Sequence, residues 1–79
     1  MRLMLLSRPD CHLCHIVAGH LRDLGFQFDT IDVDSDPALA ERYGGAIPVV
    51  LNGEAEVARM PMSRGSLRQA LAAQSKNGG

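Results

Sequence analysis

Leu3 to Leu6 is an unbroken apolar run closed by Ser7-Arg8-Pro9-Asp10, the pattern of a short buried strand ending in a turn. The period then changes. Leu13, Ile16, Val17, Leu21 and Leu24 recur at the spacing of one helix face, which predicts a helix opening at Cys11, capped by Asp10 and stopped by Gly25. Phe26, Phe28 and Ile31 mark a second strand over 26–33. Asp36 caps a short helix with Pro37 in its first position, Leu39 and Tyr43 on one face, and Gly44-Gly45 at its end. A strand over 47–51 is introduced by Pro48. Asn52-Gly53 predicts a two-residue type I′ hairpin, because both residues tolerate positive φ. The return strand covers 54–59, and Pro61 stops it because proline donates nothing to a sheet ladder. Ser63 or Ser66 opens a last helix carrying Leu67, Ala70 and Leu71.

The predicted order is β-α-β-α-β-β-α. A right-handed βαβ crossover makes the first two strands parallel and the hairpin makes the last two antiparallel. The expected architecture is an α/β fold, a four-stranded mixed sheet with helices on both faces. The 79 residues fit one domain over 1–74, followed by a disordered tail over 75–79. With no Trp, one Tyr and two Phe, the core is thin and aliphatic. A net charge of -1 supplies no global basic field for nucleic acid. The apolar run before Ser7 is too short for a signal peptide's apolar region or a membrane span. These features predict a monomer in the cytoplasm, where stable disulfides are rare.

Against that background, Cys11-His12-Leu13-Cys14 stands out, since it holds both cysteines of the chain at the opening of a helix. Residues three apart are neighbours on a helix, so the two thiols can close a disulfide. A four-residue loop stabilises by only about 2 kcal/mol in the chain-entropy picture, so structural need explains the pair poorly. Chemistry explains it better. The first helical turn offers unpaired N–H groups and the positive end of the helix dipole, and both favour a thiolate. A thiol of pKa about 8.5 is about 3% ionised at pH 7, whereas one lowered to about 6 is about 90% ionised. Cys11, nearer the helix start, is the expected nucleophile and Cys14 the resolving thiol. Arg8 would favour a thiolate and Asp10 would oppose it. An imidazolium at His12 would also stabilise the Cys11 thiolate.

Three rival chemistries fit parts of the same segment. Cys11 to His15 matches the C-x-x-C-H haem-attachment signature, with Met60 or Met62 available as a distal ligand. A strand before the motif and a hairpin after it argue against a small helical cytochrome. Zinc needs four ligands, and Cys11, Cys14 and His15 or His20 supply three. Asp32 to Asp36 begins like a calcium loop, but Pro37 and Tyr43 occupy the positions that need Gly and Glu. No metal site is expected.

A strand, a Cys-x-x-Cys helix, and Ile47-Pro48-Val49 opening a hairpin together resemble the thioredoxin superfamily. The small size and the Ser-Arg-Pro-Asp stretch ahead of Cys11 make residues 2 to 73 most similar to its glutaredoxin branch, the small bacterial glutaredoxin-like proteins. The resemblance implies a cis peptide at Ile47-Pro48 beside Cys11. It also implies that the Ile47 backbone pairs with an extended substrate, that Cys11 attacks, and that Cys14 resolves. The chain departs from the glutaredoxin pattern in two places. His12-Leu13 replaces the aromatic residue between the cysteines. Arg59-Met60-Pro61-Met62-Ser63-Arg64 replaces the Gly-Gly and acidic pair that grip glutathione, leaving Arg8, Arg59 or Arg64 to attract its carboxylates.

The expected function is a thiol-disulfide oxidoreductase without a prosthetic group. It would act on protein or small-molecule disulfides, with glutathione or a reductase as electron donor. Its candidate site comprises catalytic Cys11 and Cys14, with Arg8, His12, Ile47, Pro48 and Arg59 binding substrate. A binding module that keeps the fold without useful turnover, and a small haem or metal carrier, are the alternative classes.

Overall fold

The computed structural model describes residues 2–78, with side chains described as far as Gln74. Its elements are β1 (Arg2–Ser7), α1 (His12–Asp23), β2 (Gln27–Asp32), a 3-10 turn (Val33–Ser35), α2 (Pro37–Tyr43), β3 (Val49–Asn52), β4 (Ala55–Arg59) and α3 (Arg64–Gly78). The expected tail over 75–79 falls on side chains, and at Gly79 on a residue, outside the described part. The strand order is β2-β1-β3-β4, with β1 parallel to β2 and antiparallel to β3, and β3 antiparallel to β4. The expected β-α-β-α-β-β-α order and mixed sheet are both present. Among the described residues no helix is long and apolar enough to cross a membrane.

Strand alternation sorts the apolar run of β1 onto two faces. Leu3 and Leu5 join Val50, α1 (Val17, Ala18, Leu21) and α3 (Leu67, Leu71) in one core. Leu6 joins Val33, Tyr43, Val49 and Leu51 beneath α2 in the other. This division explains why β1 reads as a continuous apolar stretch: both of its faces are covered. Arg2 and Asp29 form an exposed ion pair at 2.7 Å between β1 and β2.

Three sequence expectations are corrected. By spacing, Leu13 and Ile16 belong to the inner face of α1, but they stand 47% and 42% exposed. The buried face is Cys14, Val17, Ala18 and Leu21, so the helix is rotated to bring a cysteine inward. The hairpin differs too. Asn52 belongs to β3 and pairs with Ala55, which leaves Gly53-Glu54 as the loop. Only Gly53 has positive φ, at 62°, the pattern of a type II′ turn, in which glycine takes the first central position. The return strand therefore begins at Ala55, and a bulge at Val57 shifts its register between Val50 and Leu51.

The helix ends follow the sequence more closely. Gly25 donates to Arg22 and Phe26 to Leu21, both at 3.0 Å, completing a Schellman stop for α1. Asp36 accepts from the Ala38 N–H at 2.9 Å and caps α2, with Pro37 in the first turn. Ser63 caps α3 by accepting from the Ser66 N–H at 3.1 Å.

The rotation of α1 is testable by denaturation. Leu21→Ala is expected to cost about 3 kcal/mol, as a fully buried leucine does. Ile16→Ala should stay within about 0.5 kcal/mol, as exposed positions do. Equal losses in urea unfolding would contradict this assignment of faces.

Candidate active site

Cys11 is the N-cap of α1, the position the sequence assigned to Asp10. Its backbone is extended, at φ -86° and ψ 106°. Its Sγ accepts from the Cys14 N–H at 3.2 Å, the contact that a capping oxygen ordinarily makes. The sulfur has displaced the aspartate from the capping role. Asp10 is left exposed in a turn closed by the Cys11 N–H donating to the Arg8 carbonyl at 3.1 Å.

The two sulfurs are joined as a disulfide with their Cα atoms 5.3 Å apart. Their access differs. Cys14 is 3% exposed against the sheet, whereas Cys11 is partly open. His12 is exposed at the first helical position, between the cysteines. His15 is exposed as well, with Nε2 3.2 Å from the Pro9 carbonyl oxygen. The haem reading needs both sulfurs for attachment and His15 for iron; here the sulfurs bond to each other and His15 engages the backbone. Among the described residues no group of three His, Cys, Asp or Glu gathers as metal ligands would. A cleft of about 290 Å³ reaches the buried side of Cys14, between Ser7, His15, Ala18, Thr30 and Asp32.

The Ile47-Pro48 peptide is cis, and so is Met60-Pro61, which the sequence did not signal. Val49 pairs with Leu6, so Pro48 lies at the end of the sheet where the chain leaves β1 for Cys11. Pro48 is buried, while Ile47 is partly exposed and precedes β3, and among the described residues its N–H and C=O make no backbone hydrogen bond.

The arginines are less free than the sequence suggested. Arg8 donates from Nε and Nη2 to the Asp34 carboxylate, at 2.8 and 3.2 Å, and from Nη1 to the Gly44 carbonyl at 3.0 Å. The hydrogen bonding from Arg8 holds the Asp34 carboxyl below its ordinary value; burial opposes it and the charge of the guanidinium adds to it. Arg59 ends β4 level with Val49, near the same end of the sheet, but its guanidinium is held by Glu56. Arg64 lies 3.7 Å from Asp23 at the last residue of α1, about 18 Å of helix away from the cysteine end. It does not join the site. The Arg8 contacts span 26 and 36 residues, and no local pattern announces them.

A dithiol at the start of the first helix, with an Ile-Pro segment at the same end of a β2-β1-β3-β4 sheet, defines a dithiol protein of the thioredoxin fold. Within that class the chain belongs to the glutaredoxin-like family: the profile described as "Glutaredoxin-like domain (DUF836)" matches residues 2–72. It is 38% identical over 52 residues to the SPbeta prophage-derived thioredoxin-like protein YosR of Bacillus subtilis, a match spanning 65% of either chain. It is 34% identical over 58 residues to the glutaredoxin-like protein NrdH of Escherichia coli, covering 68% of this chain and 72% of NrdH. The solved structure of NrdH-redoxin superposes with a TM-score of 0.67 at 27% identity, over 87% and 93% of the two chains. The protein XcR50 of X. campestris superposes with a TM-score of 0.81 at 32% identity, over 90% and 96%.

The Arg8–Asp34 pair predicts a specific titration. Because the folded-state carboxyl is depressed, the pair's contribution is present above the ordinary carboxylate value near 4 and is lost as pH falls below it. Arg8→Ala should return the Asp34 carboxyl to that ordinary value, read by carbon-13 NMR against pH. An unmoved titration would mean that the pair does not form in solution.

Proposed function

We propose that the protein is a thiol-disulfide oxidoreductase that works through a mixed disulfide on Cys11. The observation that carries this reading is the asymmetry of the pair. Cys11 is partly exposed with its sulfur on a helix N–H, and Cys14 is buried one turn behind it. In the reduced protein, the Cys11 thiolate attacks one sulfur of a substrate disulfide. A Cys11–substrate bond forms, the substrate S–S bond breaks, and the first product leaves as a thiolate that takes a proton from solvent. Cys14, as its thiolate, then attacks the Cys11 sulfur. The second product thiolate departs; the substrate has gained two electrons, and the protein that supplied them is left oxidised, with a Cys11–Cys14 disulfide. Two electrons from a reductase dithiol or from two glutathione thiols restore the pair. No prosthetic group enters the cycle.

The remaining site residues take supporting roles in this reading. The uncommitted Ile47 N–H and C=O pair with an extended stretch of substrate, and Pro48 anchors that segment in the sheet. His12, exposed at the first helical position between the two cysteines in sequence, faces the incoming disulfide. Arg59 reaches acidic groups on a substrate by exchanging its Glu56 partner for them. A protein reductase suits the chain better as donor than glutathione, because the Gly-Gly and acidic grip is absent. The structure of NrdH-redoxin, a relative, is described as having a thioredoxin-like activity profile. The exposed Leu13 and Ile16 give α1 an apolar surface beside the cysteines for protein substrates.

Cysteine variants test the cycle. Cys11→Ser should reduce insulin-disulfide turnover to background. Cys14→Ser should still attack but accumulate a stable mixed disulfide, visible as an added substrate mass. Turnover surviving Cys11→Ser would overturn the mechanism, and full turnover in Cys14→Ser would remove the resolving role.

A further inference from the structure

We infer that Arg8 is a positioning residue: a brace that sets the distance between the Cys11 sulfur and the Ile47-Pro48 segment. This builds on the proposed substrate pairing at Ile47. Two loops meet at this end of the sheet, one carrying Cys11 and one running from Gly44 to Pro48, and no strand pairing joins them beyond Leu6 and Val49. Arg8 joins them instead. Its backbone carbonyl accepts the Cys11 N–H, and its side chain donates to the Gly44 carbonyl. The fork on Asp34 fixes the guanidinium plane, and Asp34 is itself fixed, since its own N–H donates to Asp32 Oδ1 at 2.9 Å. One side chain thus ties the Cys11 turn, the 3-10 turn and the end of α2 together.

Two observations favour a brace over an anion-binding arginine. All three guanidinium nitrogens are already engaged, two by a carboxylate and one by a carbonyl. In addition, the contact depends on a glycine. A Cβ at Gly44 would lie 2.4 Å from the Ala40 carbonyl oxygen and 3.2 Å from Arg8 Nη2, so a side chain there disturbs the seat of the guanidinium. Lysine cannot reproduce the arrangement, because an ammonium lacks the planar fork that meets Asp34 and Gly44 together.

The test uses the full chain with Arg8→Lys, Arg8→Ala and Asp34→Asn. Each is assayed with insulin, which needs pairing at Ile47, and with a small aromatic disulfide, which does not. Each is also followed by amide exchange at Cys11 and at Ala46, whose N–H donates to the Tyr43 carbonyl at 2.8 Å. A brace predicts that all three variants lose at least about tenfold more rate with insulin than with the small disulfide, as misalignment of reacting groups does. It also predicts that both amides exchange about fivefold faster, the scale of losing an exposed ion pair. Retention of the insulin rate by Arg8→Lys would show that charge alone matters and would overturn the proposal. So would equal losses on both disulfides, or faster exchange at one loop only. A wild-type protein inert toward both disulfides, with exchange still accelerated at both loops in the variants, would support the brace while sinking the enzymatic reading.

Discussion

A sulfur occupies the position where a helix ordinarily keeps a capping oxygen, and the function proposed for this protein depends on that exchange. The N–H groups of a first helical turn have no partner within the helix, and the peptide dipoles converge on them. An oxygen cap would satisfy one of them and nothing more. With Cys11 in that position the same N–H meets an atom whose charge depends on its oxidation and protonation state. A hydrogen bond to a charged acceptor is roughly twice as strong as one to a neutral acceptor, so the helix end favours the ionised sulfur. The cap and the proposed nucleophile are one side chain.

The rest of the fold leaves Cys11 partly open and covers Cys14. β1 is held on both sides and on both faces, so the turn that follows it has a fixed origin. Rotation of α1 puts Cys14 with Val17, Ala18 and Leu21 against the sheet and leaves Leu13 and Ile16 outside. A cysteine pair with one partly open and one buried member follows from that rotation. The acidic cluster of the middle segment serves the same end of the molecule. Asp32 caps the 3-10 turn, Asp34 holds Arg8, and Asp36 caps α2.

Much of this was legible in the sequence because it is local. The cysteine spacing, the Asp36-Pro37 helix start, the Gly25 stop and the order of elements are each set by residues within a few positions of one another. Elsewhere a tertiary choice overrides a local preference. Asp10 is a better cap than cysteine by propensity, yet the turn from Arg8 to Cys11 brings the sulfur to the amides first. Asn52-Gly53 reads as a type I′ loop, but pairing of Asn52 with Ala55 moves the turn one residue on. Leu13 and Ile16 fit a buried stripe by spacing, and a helix has only one face to give to the sheet. The Arg8, Asp34 and Gly44 cluster was illegible for a different reason: its members are 26 and 36 residues apart and meet only through the tertiary fold.

The most direct test of this account is the titration of the Cys11 thiol in the reduced protein, followed by thiolate absorbance in the Cys14→Ser variant. A sulfur held by the helix amides should ionise well below the ordinary thiol value of about 8.5. A midpoint at that ordinary value would contradict the account, because the capping geometry would then confer no activation.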